Sequence, residues 1–231
     1  MRDRRITVRM ALLVPMLLGT FAGIWAQERN ASSIAGSVAS PAIPIVTFTL
    51  DFPISAPSHY SVRVAQDGKA SYESMGKLTP EADGDPFLYS FMMSEANRTR
   101  IFELAEQAKF FDGNFDYKKG RLANTGKKVL AYEDGKVQHE TVYNYSTNSA
   151  IQQLTTIFQN ISATMEFARR VQYFHKYQPL AVEEELKRME DMAKTHSLDE
   201  VQAVAPVLQE IAEDKAVLNV TRSRAVRLLG K

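Results

Sequence analysis

The sequence predicts an α+β fold: an antiparallel sheet of hairpins packed against two main helices, with a C-terminal all-helical appendage. Three observations carry that prediction. Apolar residues alternate with period two over residues 45–52, 60–75 and 129–145, and Asp-Gly turns break the last two stretches, as hairpins require. Over residues 94–109 and 150–177 they recur instead at steps of three and four, the spacing of one helix face. Beyond Leu180 only the helical spacing remains. Hairpins and helices in series favour this layering over a parallel sheet.

Residues 1–26 read as a secretory signal. Arg2, Arg4, Arg5 and Arg9 make a basic start, residues 10–24 an apolar core, and Ile24-Trp25-Ala26 a cleavage-type ending, which sets the cut between Ala26 and Gln27. The alternative is an uncleaved anchor helix, against which the apolar run falls short of the roughly 20 residues that span a bilayer. Residues 27–44, rich in Ala, Ser and Gly without a periodic face, read as a flexible linker to an α+β domain over residues 45–177.

Within that domain, Val46, Phe48, Leu50 and Phe52 mark the core side of a first strand that Pro53 ends. Tyr60, Val62 and Val64 belong to the next strand and Tyr72 and Met75 to its return. The Asp67-Gly68 turn between them takes an extra residue, since a two-residue turn would put Val64 opposite Ser71. Residues 77–86 form a loop with two prolines, and residues 87–93 a strand leading into the first helix. There Ser94 is placed to cap, Ile101, Leu104, Ala105 and Ala108 form the apolar stripe, and Asp112-Gly113 ends the pattern. Residues 114–128 are a polar loop. A type I′ turn at Asp134-Gly135 then sets Tyr132 opposite Val137 and Leu130 opposite His139.

The second helix carries Ile151, Leu154, Phe158, Ile161, Met165 and Val171, and Pro179 stops it. Both hairpins share an Asp-Gly-Lys turn, but Asp-Gly is the commonest hairpin signal and the recurrence is weak support for duplication. In the appendage, residues 178–231, Glu183, Glu184 and Glu185 read as the solvated start of a helix whose apolar stripe is Val182, Leu186, Met189 and Ala193. Ser197-Leu198-Asp199-Glu200 reads as a capping box opening a helix that Pro206 kinks or divides, and Val226, Leu228 and Leu229 as the apolar side of the last helix.

Charge narrows the function classes. The formal net charge of +1 falls to about −2 once residues 1–26 are removed, so no electrostatic case for nucleic-acid binding remains. The chain has no cysteine, which rules out disulfides, thiolate nucleophiles and thiolate metal sites. His59, His139, His175 and His196 fall in no metal-binding spacing, and the sequence has no G-x-S-x-G elbow, phosphate loop or dinucleotide motif. No catalytic, cofactor-binding or metal-binding residue is assigned, and no cofactor is expected. Two features could form a binding surface: the basic loop cluster Lys118, Lys119, Arg121, Lys127 and Lys128, and the aromatics Tyr132, Tyr143 and Tyr145 of the second hairpin.

His59-Tyr60-Ser61-Val62-Arg63-Val64 with Asp67-Gly68-Lys69 and Tyr72, a helix ending Phe110-Phe111, and residues 129–145 with Asp134-Gly135-Lys136 together resemble a family of uncharacterised domains in exported bacterial proteins. The resemblance covers about residues 45–167 and implies a compact α+β domain of unknown function, with no functional residue to carry over. The sequence therefore favours an exported bacterial, non-catalytic binding or protein-interaction module, periplasmic or secreted. Its expected partner is an unknown envelope or extracellular protein or polymer, not nucleic acid, and it meets a membrane only through an uncleaved N-terminal segment. The alternatives are an unrecognised periplasmic or secreted hydrolase and a signal-anchored envelope component.

Overall fold

The structure, a computed structural model, describes residues 42–78 and 84–230. The signal, the cut between Ala26 and Gln27 and most of the linker lie outside the described residues. Strands β1 (Ile45–Asp51), β2 (His59–Ala65), β3 (Lys69–Gly76) and β4 (Asp85–Met92) form an antiparallel meander. β5 (Lys127–Glu133) pairs with the other side of β1, and β6 (Gln138–Tyr143) with β5, so the sheet runs β4-β3-β2-β1-β5-β6. Alternation decides its faces: Val46, Phe48, Leu50, Tyr60, Val62, Val64, Tyr72, Leu130 and Tyr132 are buried on one side, while Arg63, Glu73 and Leu88 are exposed on the other.

Two helices, α1 (Glu95–Gln107) and α2 (Ser149–Tyr177), supply the apolar layer that the buried face needs. The Ser94 hydroxyl accepts the Asn97 N–H at 3.3 Å, and Ile101, Leu104, Ala105 and Ala108 are all buried. Asn148 caps α2 by accepting the Ala150 and Ile151 N–H groups. A third of the way along α2, Phe158 stacks on Phe48 of the sheet with ring centroids 5.3 Å apart. Helices α3 (Ala181–Lys194), α4 (Ala205–Glu213) and α5 (Asn219–Leu228) follow. Their buried residues Val182, Leu186, Met189, Leu208, Ile211 and Ala225 belong to the same continuous core as the sheet.

The structure departs from the sequence reading in five places. The first helix stops at Gln107, and Lys109, Phe110 and Phe111 all take left-handed φ values of 52°, 51° and 69°. That conformation costs about 1–2 kcal/mol per residue. It is offset by Phe111, which becomes fully buried, and by Phe110, which lies 4.4 Å from the Tyr132 ring.

In the second hairpin Tyr132 pairs with His139 and Leu130 with Thr141, two residues from the expected register. The Asp134 carboxylate accepts the N–H groups of Lys136 and Val137, each at 2.8 Å, and so holds a wider loop than the type I′ turn. A shift of two keeps every side chain on its face, so alternation could not detect it. The first hairpin does take the extra residue: Val64 pairs with Ala70 and Val62 with Tyr72.

The third departure is at the acidic triplet. Only Glu184 is solvated; Glu185 is fully buried against Arg170 and Arg188, and Glu183 accepts from Arg224 at 2.8 Å. Fourth, Ser197 caps no helix. Residues Val201–Val204 form a 3-10 turn, and Pro206 sits in the first turn of α4. Glu200, left-handed at φ 60°, instead turns its carboxylate towards α1. It accepts the Ser94 N–H at 2.8 Å, the Ser94 hydroxyl at 2.6 Å and the Asn97 amide at 2.7 Å. In an ordinary capping box the acid comes from the third helical residue; that residue here is Asn97, and the acid arrives from a distant segment.

The fifth departure is on α5, where Val226 is exposed and Thr221 and Ala225 are buried instead. Charge accounts for this, because Arg224 bonds Glu183 and Glu190 and Arg227 bonds Glu190, turning α5 so that its arginines meet α3. The Arg227 hydrogen bond, helped by Lys194 and Arg224, holds the Glu190 carboxyl at about 2, against an ordinary 4.5. A carboxyl with a lowered pKa in the fold stabilises fully above its ordinary value and loses that contribution as the pH falls towards 2. Glu190→Gln should therefore lower the Tm at neutral pH, and the gap to the parent protein should close between about pH 4.5 and 2. Thermal melts across that range check it; a gap that does not change with pH would contradict it.

Candidate functional site

The residues after β6 organise the surface where most of the sequence-predicted positions meet. Asn144 is the hub of the loop over residues 112–126. Its N–H donates to Asp116 at 3.0 Å, its side-chain amide donates to the Ala123 carbonyl at 2.9 Å, and its side-chain oxygen accepts the Thr125 N–H at 2.8 Å. The Tyr117 N–H donates to the Tyr145 carbonyl at 2.8 Å, so both limbs of the loop are tied to the same short segment. Gly126, at φ +94°, closes the loop where a Cβ would fall 2.8 Å from Phe52, so only glycine fits.

Lys128 does not face solvent. It is buried, and its ammonium donates to the Thr125 carbonyl and hydroxyl and to the Asn144 carbonyl at 2.9–3.1 Å. Burial pushes its pKa down, and among the described residues no carboxylate is its partner. Lys128 therefore stitches the loop to β6. Tyr143 is buried beside it. The Thr155 hydroxyl donates to the Ile151 carbonyl at 2.7 Å, which leaves Tyr143 to donate to Thr155, also at 2.7 Å, and burial raises the Tyr143 pKa.

Between this loop and the start of α2 lies an open trough of about 450 Å³. One wall presents Thr125, Tyr145 and Ser146, the other Gln152, Thr156 and Gln159, with Lys128 and Tyr143 at the base. Tyr145, 42% exposed, stands at its rim with its ring edge-on to Tyr117, centroids 6.1 Å apart. Gln152 donates to the Tyr145 hydroxyl at 3.2 Å and the Ser146 carbonyl at 2.9 Å. Among the described residues the walls thus carry hydroxyls and amides but no carboxylate, and the one cation there, Lys128, donates to the loop.

Of the sequence-predicted positions, Lys128, Tyr143 and Tyr145 meet at the trough. Lys118, Lys119 and Arg121 are exposed on the adjoining loop. Lys127 lies on the open sheet face opposite Asp51, and Tyr132 sits at the far end of β5 under Phe110. Sequence reasoning misses Asn144, Gln152, Thr156 and Gln159. The last three carry a signal, since Gln152, Thr156 and Gln159 recur at steps of four and three along the polar side of the predicted helix, whereas Asn144 carries none.

A second cavity of about 320 Å³ lies between the loop at Ser55–Pro57 and α2, lined by Tyr60, Ser162, Glu166 and Met192 among others. Glu166 is buried and accepts the Tyr72 and Ser74 hydroxyls at 2.9 and 2.6 Å, with Arg169 at 3.7 Å. Burial, with the Glu166 charge beside it, pushes the Tyr72 phenol up. Among the described residues no group of three His, Asp or Glu could hold a metal ion. His175 has two acidic neighbours, but Glu210 meets Nδ1 and Asp214 meets Nε2, on opposite sides of the ring.

No protein-family model matches this chain, and no curated protein matches it either.

Proposed function

We propose that the protein is an exported, non-catalytic binding module, and that its trough takes a segment of an uncharged, hydroxyl-rich polymer, a neutral glycan. The observation that carries this is the chemistry of the walls. Gln159 offers an uncharged amide donor and acceptor, Gln152 its side-chain oxygen and Tyr145 its hydroxyl proton, and the exposed Tyr145 ring stands at the rim. Sugars need that combination, because each hydroxyl both donates and accepts while the apolar ring face rests on an aromatic. Export is supported by the signal-like residues 1–26, the absence of cysteine and the resemblance of residues 45–167 to domains of exported bacterial proteins.

Titrating the protein with neutral oligosaccharides by calorimetry tests the proposal. Saturable binding is expected, weakened about tenfold or more by Gln152→Ala and by Tyr145→Ala, as a loss of about 1.4 kcal/mol implies. If no neutral oligosaccharide bound at millimolar concentration, or if both variants bound as the parent does, the trough would not be the site.

Glu166 favours a second function, hydrolysis, as a buried carboxylate on a cavity wall with hydroxyl donors around it. Among the described residues it is the single acid lining that cavity, whereas glycoside hydrolysis ordinarily uses two. Turnover of any ester or glycoside that Glu166→Gln abolished would favour hydrolysis over simple binding.

A further inference from the structure

We propose that two copies of this chain pair through β4, joining their sheets into one across a two-fold axis at Ser90. Among the described residues β4 is an edge strand, paired only with β3. The Met93 N–H donates back to Gly68 on the β3 side, and alternate residues of a strand point their backbone groups in opposite directions. Leu88, Ser90 and Met92 therefore aim their N–H and C=O groups outward. Among the described residues no hydrogen bond reaches those groups.

Edges are normally blunted by charge. β6, the other edge, carries the exposed Glu140 and is followed by Asn144, which the loop ties down. From Phe87 to Met92 the β4 edge has no charged residue, and Leu88 and Met92 are 70% and 61% exposed. An uncharged edge of this length with exposed apolar side chains is a template for another strand.

The pattern selects a second copy as the partner. With Ser90 opposite the partner's Ser90, antiparallel pairing sets Leu88 against the partner's Met92 and Met92 against the partner's Leu88. All of these residues point their backbone groups outward, so the three pairs exchange about six hydrogen bonds. Pro86, which has no N–H to give, falls just outside them. On the open face Lys69 lies beside Met92, and Glu73 beside Leu88. Each rung then reads Lys69, Met92, the partner's Leu88, the partner's Glu73: an apolar pair flanked by opposite charges. The two-fold axis generates the same rung in reverse, so one strand satisfies both sides.

Analytical ultracentrifugation of the full chain between 1 and 100 µM tests this. A concentration-dependent dimer is expected, with dissociation at least tenfold easier in Leu88→Lys, which brings two cations onto the joint, and in Ser90→Pro. The N–H lost at Ser90 faces outward, so the internal ladder of that variant stays complete, and an unchanged circular dichroism spectrum verifies the fold of both variants. A parent protein that stays monomeric at 100 µM overturns the proposal, as does a dimer that both variants leave intact.

Discussion

Phe158→Ala should cost about 3–5 kcal/mol of folding stability, the range for emptying a buried aromatic site. Phe158 is fully buried and stacks nearly parallel on Phe48, the residue of β1 that lies between Val62 and Leu130. It is therefore where α2 meets the centre of the sheet. Alanine there loses the transfer free energy of the ring and leaves a void that β1, paired on both sides, has little freedom to close. Urea unfolding monitored by circular dichroism gives the value. The Phe48→Ala, Phe158→Ala double variant should cost less than the two single changes summed, because either change removes the same stack. A loss below about 1 kcal/mol for the single variant would mean that α2 does not rest on β1.

The second large effect belongs to a polar residue. Glu200→Ala is expected to cost about 2–4 kcal/mol, because it strands the Ser94 N–H, the Ser94 hydroxyl and the Asn97 amide together. Glu200 is itself buried, and Thr164 on α2 donates to the neighbouring Asp199 carbonyl at 2.7 Å. The 199–200 segment therefore anchors α1 and α2 at once. Glu200→Gln keeps an acceptor oxygen and should recover part of the loss. Amide exchange should quicken at residues 95–98 in the alanine variant before it quickens elsewhere. Unchanged exchange there would show that Ser94 caps α1 without help.

Glu200 carries a misleading local signal. Ser197 and Glu200 stand at capping-box spacing, and nothing local opposes a helix start there. The partner that claims Glu200 lies about a hundred residues earlier, and its signature is the weak acceptor Asn97 where a capping acid would normally stand. Long-range polar pairing leaves no periodic trace, and the buried Glu166 and Glu185 were hidden for the same reason.

Periodicity served well wherever one face met the core. Val46, Phe48 and Leu50 on β1 and Ile151, Leu154 and Phe158 on α2 are buried as their spacing required. It failed at the second hairpin, where a two-residue shift preserves both faces and only the Asp134 hydrogen bonds fix the loop. At the site, the sequence located the segment that carries Tyr143 and Tyr145, but it counted Lys128 among the surface cations. Whether a lysine faces water or a ring of carbonyls depends on the fold of the loop around it, and Asn144 sets that fold through side-chain bonds to both limbs.

The proposed binding role of the trough is tested most directly by mapping backbone amide shifts of the labelled protein as a neutral oligosaccharide is added. The shifts should gather at Thr125, Asn144, Tyr145, Gln152, Thr156 and Gln159, on the two walls that face each other. Shifts confined to the cavity at Ser55–Pro57 and Glu166, or none at all, would contradict the assignment of function to the trough.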